Sequence, residues 1–145
     1  MGSNLGDRRG HLVFAVARLA EHFQRLRVSL TIDTKPISVT GEQPDFLNAA
    51  VVGETTLTAR ALLDTLLAIE RDRGRERPFP GAARTLDLDL ILFGTHIIDK
   101  PGLIVPHPRF RERRFVLEPL AEVAPDMVDP VTGQTVGELF NRVIG

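Results

Sequence analysis

Two carboxylates one residue apart, Asp87 and Asp89, stand in the run Leu86-Asp87-Leu88-Asp89-Leu90-Ile91-Leu92-Phe93. Successive side chains of an extended segment point to opposite faces, so the leucines share one face and the two aspartates the other. Neighbours on one face lie roughly 7 Å apart. Carboxylates held that close repel one another unless a cation neutralises them. Mg²⁺ takes one or two carboxylates and completes its octahedron with water and phosphate oxygens. The pair therefore suits nucleotide phosphates bridged by metal better than an all-protein metal cage. Taken alone it also fits the solvated face of a half-exposed strand, and paired aspartates serve glycosyltransferases and nucleases too.

The basic residues narrow the choice. Sixteen of the 18 are arginines, and nine of those fall in two short stretches: Arg71, Arg73, Arg75, Arg77 and Arg84, then Arg109, Arg111, Arg113 and Arg114. The guanidinium presents a rigid fork of donors that matches phosphate oxygens. Codon preference explains the choice of Arg over Lys but not the clustering. Net charge is −1, so the chain as a whole attracts no polyanion. There are no cysteines, which excludes disulfides, thiolate zinc sites and cysteine nucleophiles. No apolar run reaches the length of a membrane span, and a soluble cytoplasmic protein is expected. At 145 residues, 43% hydrophobic and 26% charged, the chain fits one domain with a real core.

The elements that must carry these groups follow from periodicity. Leu12, Val13, Val16, Leu19, Ala20 and Phe23 recur at helical spacing, so residues 8–25 read as an amphipathic helix capped by Asn4 or Asp7. Strands are expected at 28–32, 46–54 and 86–93, with Ile97 and Ile98 returning beside the last. Thr58 caps a second helix that ends near Gly74. Shorter helices are expected at 115–124, interrupted by Pro119, and at 135–144. Residues 34–45 and 74–85 read as loops, the second mobile and arginine-rich. Two long helices alternating with strands predict an α+β fold, a ferredoxin-like two-layer sandwich on a mostly antiparallel sheet.

Six motifs in order carry a family resemblance. They are Gly2-Ser3-Asn4-Leu5-Gly6-Asp7; Thr34-Lys35-Pro36; Gln43-Pro44-Asp45-Phe46-Leu47-Asn48-Ala49; Glu70 with Gly74-Arg75 and Arg77; Arg84-Thr85-Leu86-Asp87-Leu88-Asp89; and Val105-Pro106-His107-Pro108-Arg109 with Arg113-Arg114-Phe115. Over essentially its whole length the chain resembles the hydroxymethyl-dihydropterin pyrophosphokinases of folate biosynthesis. The resemblance implies transfer of pyrophosphate from ATP to the pterin hydroxymethyl group, with release of AMP. It implies two Mg²⁺ ions on Asp87 and Asp89, ATP bound by Glu70, Arg84, His107 and Arg113, and catalytic arginines at 75, 77 and 84. Phe46 and Phe115 would stack on the two sides of the pterin ring, and Asn48 and the segment around Thr34 and Pro36 would read its polar edge. Each of Phe46, Asn48, Glu70, His107 and Phe115 also has a plain packing or surface reading. The implied partners are the two small substrates, with no nucleic acid and no membrane, in a monomer able to associate with other folate enzymes.

Three departures stand out. Family members begin with a strand of about six apolar residues before the Gly-Ser-Asn motif, whereas here Met1 precedes Gly2 directly. A start further upstream, or a shortened product lacking the first strand, is expected. The aromatic-Gly-Pro-Arg segment reads Gly81-Ala82-Ala83-Arg84, and an aromatic before the Thr-Lys-Pro turn is Ile32. The first alternative is accordingly a truncated or degenerate relative that binds pterin or ATP without turnover. An RNA-binding ferredoxin-like module is the second; it is disfavoured because the chain has no Tyr or Trp and carries acidic groups on its key strand.

Overall fold

The computed structural model describes residues 1–3, 6–34, 46–74 and 86–145. Among the described residues, four helices and short antiparallel pairs of strands make an α+β fold. Strand β1 (Gly2–Ser3) leads into helix α1 (Arg8–Ala20), whose first turn is closed by the Asp7 carboxylate accepting from the Gly10 amide at 3.0 Å. The helix ends five residues before the expected boundary. The chain turns there into β2 (Gln24–Val28), followed by β3 (Ile32–Thr34), β4 (Phe46–Asn48) and β5 (Val51–Glu54). The single strand expected over 46–54 is broken at Ala49-Ala50. Its first half joins the sheet β1-β4-β3 and its second half pairs with β2 alone. Thr58 caps α2 (Ala59–Gly74) as expected, its hydroxyl accepting from the Ala61 amide at 3.1 Å.

The expected strand at 86–93 is extended but is not a ladder. Its one bridge joins Asp87 to Gly2, through two hydrogen bonds of 2.8 Å. Ile98 does not return beside it; β6 (Ile98–Lys100) pairs instead with β7 (Leu103–Val105). A 3-10 turn, Phe110–Glu112, precedes α3 (Arg114–Val123), which runs through Pro119 rather than stopping at it. Lying beyond the first turn, Pro119 has no amide to give the Phe115 carbonyl four residues earlier, so the helix forgoes that one bond. Helix α4 (Val136–Ile144) opens on a full capping box between Thr135 and Glu138.

Helices cover both faces of the strands, one layer more than the sandwich read from the sequence. Leu12, Ala15 and Leu19 of α1 and Leu62, Leu66 and Ile69 of α2 bury against Leu47, Ala49, Leu86 and Leu88. On the opposite face Leu117, Leu120, Val136, Leu139 and Phe110 bury against Ala50, Val52, Ile91 and Leu92. The alternation of Ala49 with Ala50, and of Val51 with Val52, is the period-2 signature of a segment buried on both sides.

Met1 leads into a cleft in this middle layer. Its amino group donates to the Ala49 carbonyl at 2.9 Å, and its carbonyl accepts the Ala49 amide at 3.0 Å. Beyond it, β5 runs along one wall and residues 88–93 along the other, with an apolar space between them. Among the described residues no strand lies on the edge of β5 away from β2.

Candidate active site

The alternation read from the sequence holds over 86–90 but not at Leu92, which packs with Ile91 on the opposite face. Leu86 and Leu88 are buried, while Asp87 is half-buried, Asp89 is exposed, and both line one cavity of about 690 Å³. This segment is held at three points. Gly2 grips Asp87 through both backbone groups, and the His107 amide donates to the Ile91 carbonyl at 2.9 Å. Between these, the carboxylate of Glu70 reaches from α2 and accepts the Leu88 amide at 2.7 Å. Glu70 is not part of the cavity wall; it fixes the backbone between the two aspartates.

The outer part of the cavity is polar. Arg109 and Arg113 line it together with the aspartates, from either end of the 3-10 turn. The guanidinium of Arg113 lies over the Phe115 ring, 5.6 Å from its centroid. Arg109 was not singled out from the sequence, although it belongs to the second arginine cluster, and that clustering was the signal available. His107 is absent from the cavity wall. Its Nδ1 accepts the Arg109 amide at 3.1 Å, so it shapes the backbone that presents Arg109. Burial lowers its pKa, opposed by Asp89 and helped by Arg113.

Strands β3 and β4 supply a third wall. Thr34 is opposite Phe46 in the ladder, and Asn48 is opposite Ile32 on one side and Gly2 on the other. Asn48 is 7% exposed and donates from Nδ2 to the Thr34 hydroxyl at 2.7 Å. Phe46, Asn48 and Thr34 all line the cavity, as does Phe115 from the start of α3. Gly2 leaves the room that Asn48 occupies: a Cβ there would come within 2.7 Å of Asn48 Oδ1 and 3.6 Å of Phe46 Cδ1. Phe115 also lines a second cleft with Ile32, Arg113 and Glu118, so its ring is approached from two sides.

The structure thus brings together Asp87, Asp89, Arg113, Phe46, Asn48, Thr34 and Phe115. Pro36, Arg75, Arg77 and Arg84 lie outside the described residues. No group of three or more metal-binding side chains occurs among the described residues. Two carboxylates hold Mg²⁺ well only when other oxygens complete its shell, which phosphates entering beside Arg109 and Arg113 would do. No described helix is long and apolar enough to cross a membrane.

Paired carboxylates, two arginines and the rings of Phe46 and Phe115 thus line one recess. The comparisons give the particular family. Residues 1–125 match the family model of 7,8-dihydro-6-hydroxymethylpterin-pyrophosphokinase, and the chain belongs to that family. It is 48% identical over 101 residues to the 2-amino-4-hydroxy-6-hydroxymethyldihydropteridine pyrophosphokinase of Synechocystis sp., covering 70% of this chain and 52% of that protein. The Bacillus subtilis protein of the same name is 42% identical over 145 residues, covering 99% of this chain and 86% of that one. The "Folic acid synthesis protein fol1" of Pneumocystis carinii is 36% identical over 99% of this chain, which spans 20% of its length.

Proposed function

We propose that this chain transfers the β,γ-pyrophosphoryl group of ATP to the hydroxymethyl oxygen of 6-hydroxymethyl-7,8-dihydropterin and releases AMP. One observation carries the reading: the two aspartates, the two arginines Arg109 and Arg113 and the Phe46–Asn48–Thr34 wall line a single cavity. A flat, polar-edged ring fits between Phe46 and Phe115, and Asn48 and Thr34 lie where its edge would be read. A triphosphate fits the opposite part, where Arg109 and Arg113 offer forked donors.

The pterin oxygen forms its bond to the β-phosphorus as the bond from that phosphorus to the α,β-bridging oxygen breaks. The electron pair leaves with AMP, and the hydroxyl proton passes to water. The chain contributes position and charge rather than covalent chemistry. Phe46 and Phe115 orient the ring so that the hydroxymethyl group faces the phosphates. Arg113, braced on Phe115, and Arg109 stabilise charge on the transferred oxygens. Asp87 and Asp89 would hold two Mg²⁺, which supply charge neutralisation and Lewis-acid polarisation of the phosphates. Glu70, His107 and the Gly2 backbone keep those groups in register. The motif alone assigns Arg75, Arg77 and Arg84 to the phosphates and Pro36 to the pterin side.

The same reading takes the 145 residues as one cytoplasmic domain. The order β1, α1, β2, β5, α2 and the 86–93 segment supports a ferredoxin-like core. The "Folate synthesis bifunctional protein, mitochondrial" of Arabidopsis thaliana, 41% identical over 89% of this chain, which spans 23% of its length, supports association with other folate enzymes.

The test is AMP release with pterin, ATP and Mg²⁺. Asp89→Asn and Asp87→Asn are each expected to lower turnover on the order of 100-fold, the scale of losing one electrostatic contact to a transition state. A wild-type chain that binds an ATP analogue and pterin yet releases no AMP would establish the binding-only relative instead.

A further inference from the structure

Asp129 lies outside the cavity wall and is completely buried, an unusual place for a carboxylate. Four donors satisfy it. Arg111 Nε and Nη2 donate at 2.6 and 3.0 Å, the Val131 amide at 3.0 Å and the Thr132 hydroxyl at 2.7 Å. Its own backbone closes the turn beneath, donating to the Gln134 carbonyl and accepting from the Gly133 amide, both at 2.8 Å. Burial by itself would raise its pKa; the bonds from Arg111, Thr132 and Val131 outweigh that and hold it at about 2.

Arg111 is the middle residue of the 3-10 turn whose flanks are Arg109 and Arg113. Its guanidinium also lies over the ring of fully buried Phe110, 4.8 Å from the centroid. Three arginines at alternate positions in five residues therefore divide into two sets. Arg111 turns to Asp129, and Arg109 and Arg113 line the cavity. Buried Phe110 anchors the start of the turn in the core, and the ion pair adds a directional hold on Arg111 itself. A buried ion pair is weak evidence of added stability, but it is well suited to selecting one arrangement among close competitors.

We propose that Asp129 is a positioning residue for nucleotide binding: by gripping Arg111 it fixes the turn so that Arg109 and Arg113, and not Arg111, face the phosphates. The inference rests on the reading of the cavity as a triphosphate site. Without the clamp, the three like charges repel, the turn samples other rotations, and part of the affinity is spent on ordering it. Pterin contacts on β3, β4 and α3 are not made by this turn.

The experiment uses the full chain, calorimetry with Mg²⁺ and a non-hydrolysable ATP analogue, and steady-state kinetics. Wild-type binding is measured first; if the wild type takes no nucleotide, the cavity reading fails and the clamp is overturned with it. Given wild-type binding, Asp129→Asn is expected to weaken the analogue about 10-fold, the scale on which supporting contacts act. KM for ATP should rise in step, while KM for pterin changes less than about 2-fold. If Asp129→Asn cannot be purified folded, Arg111→Lys keeps the charge but loses the fork, and must show the same selective loss. A fall in melting temperature with unchanged nucleotide affinity, or equal loss of both substrates, overturns the proposal and leaves a purely structural ion pair.

Discussion

Single residues in this cavity are held by their neighbours' shapes as much as by their own chemistry. Gly2 shows this most directly, because a methyl group there would overlap Asn48 Oδ1. Gly2→Ala is expected to push the Asn48 amide off the Thr34 hydroxyl and raise KM for pterin about 10-fold, by analogy with other losses of a supporting contact. KM for ATP should move much less. Equal effects on both substrates would show a general distortion of the β1 backbone instead. The disposition of Asp87 and Asp89 was legible in the sequence because period 2 alone dictates it. Arg109 and Gly2 were not, since what matters there is which residues a turn or a neighbouring strand brings within reach. The bonds of Asp129 to Val131 and Thr132 are local, but its ion-pair partner is 18 positions away.

Elements were legible where a local rule decided them and illegible where pairing did. The starts of α1, α2 and α4 follow from Asp7, Thr58 and Thr135, each a short side chain able to accept from a free amide. The segment 86–93 reads as a strand from composition, yet it has one bridge, because strand character is realised only against a partner. Glu70 holds it alongside Gly2 and His107, and its bond to the Leu88 amide is charge-assisted. The motif resemblance gives Glu70 to ATP, and the two roles separate cleanly. A Gln at 70 retains an acceptor for the amide, whereas Ala does not. Glu70→Ala is expected to lose about 1.5–3 kcal/mol of stability, together with turnover, and Glu70→Gln to keep most of both. Thermal melts alongside the AMP assay decide it. If Gln is as damaging to ATP binding as Ala while melting like the wild type, the carboxylate acts on the nucleotide through its charge.

At the scale of the whole molecule the described strands form three separate small sheets, with a cleft between β5 and residues 88–93. β1 pairs with β4 and with Asp87 in register, so an extension ahead of Met1 would run between β5 and residues 88–93, antiparallel to both. Adding five or six apolar residues there is expected to bury three or four side chains and raise the melting temperature by at least about 10 °C. An unchanged melting curve would mean that the walls do not accept a strand. The core under α1 and α2, by contrast, was legible in part: Leu12, Leu19, Leu62, Leu66 and Ile69 are buried as their spacing predicts, whereas Val13 and Leu67 are exposed. The third layer was missed because α3 and α4 are short, and their role depends on Phe110 and Val136 meeting across the chain. The cleft also ties rigidity to affinity. Asp87 stands on its rim, so a filler that stiffens the inner half reduces the freedom still to be lost when a ligand orders the outer half. Strand and nucleotide would then behave as cooperative ligands of one groove, although they touch different atoms.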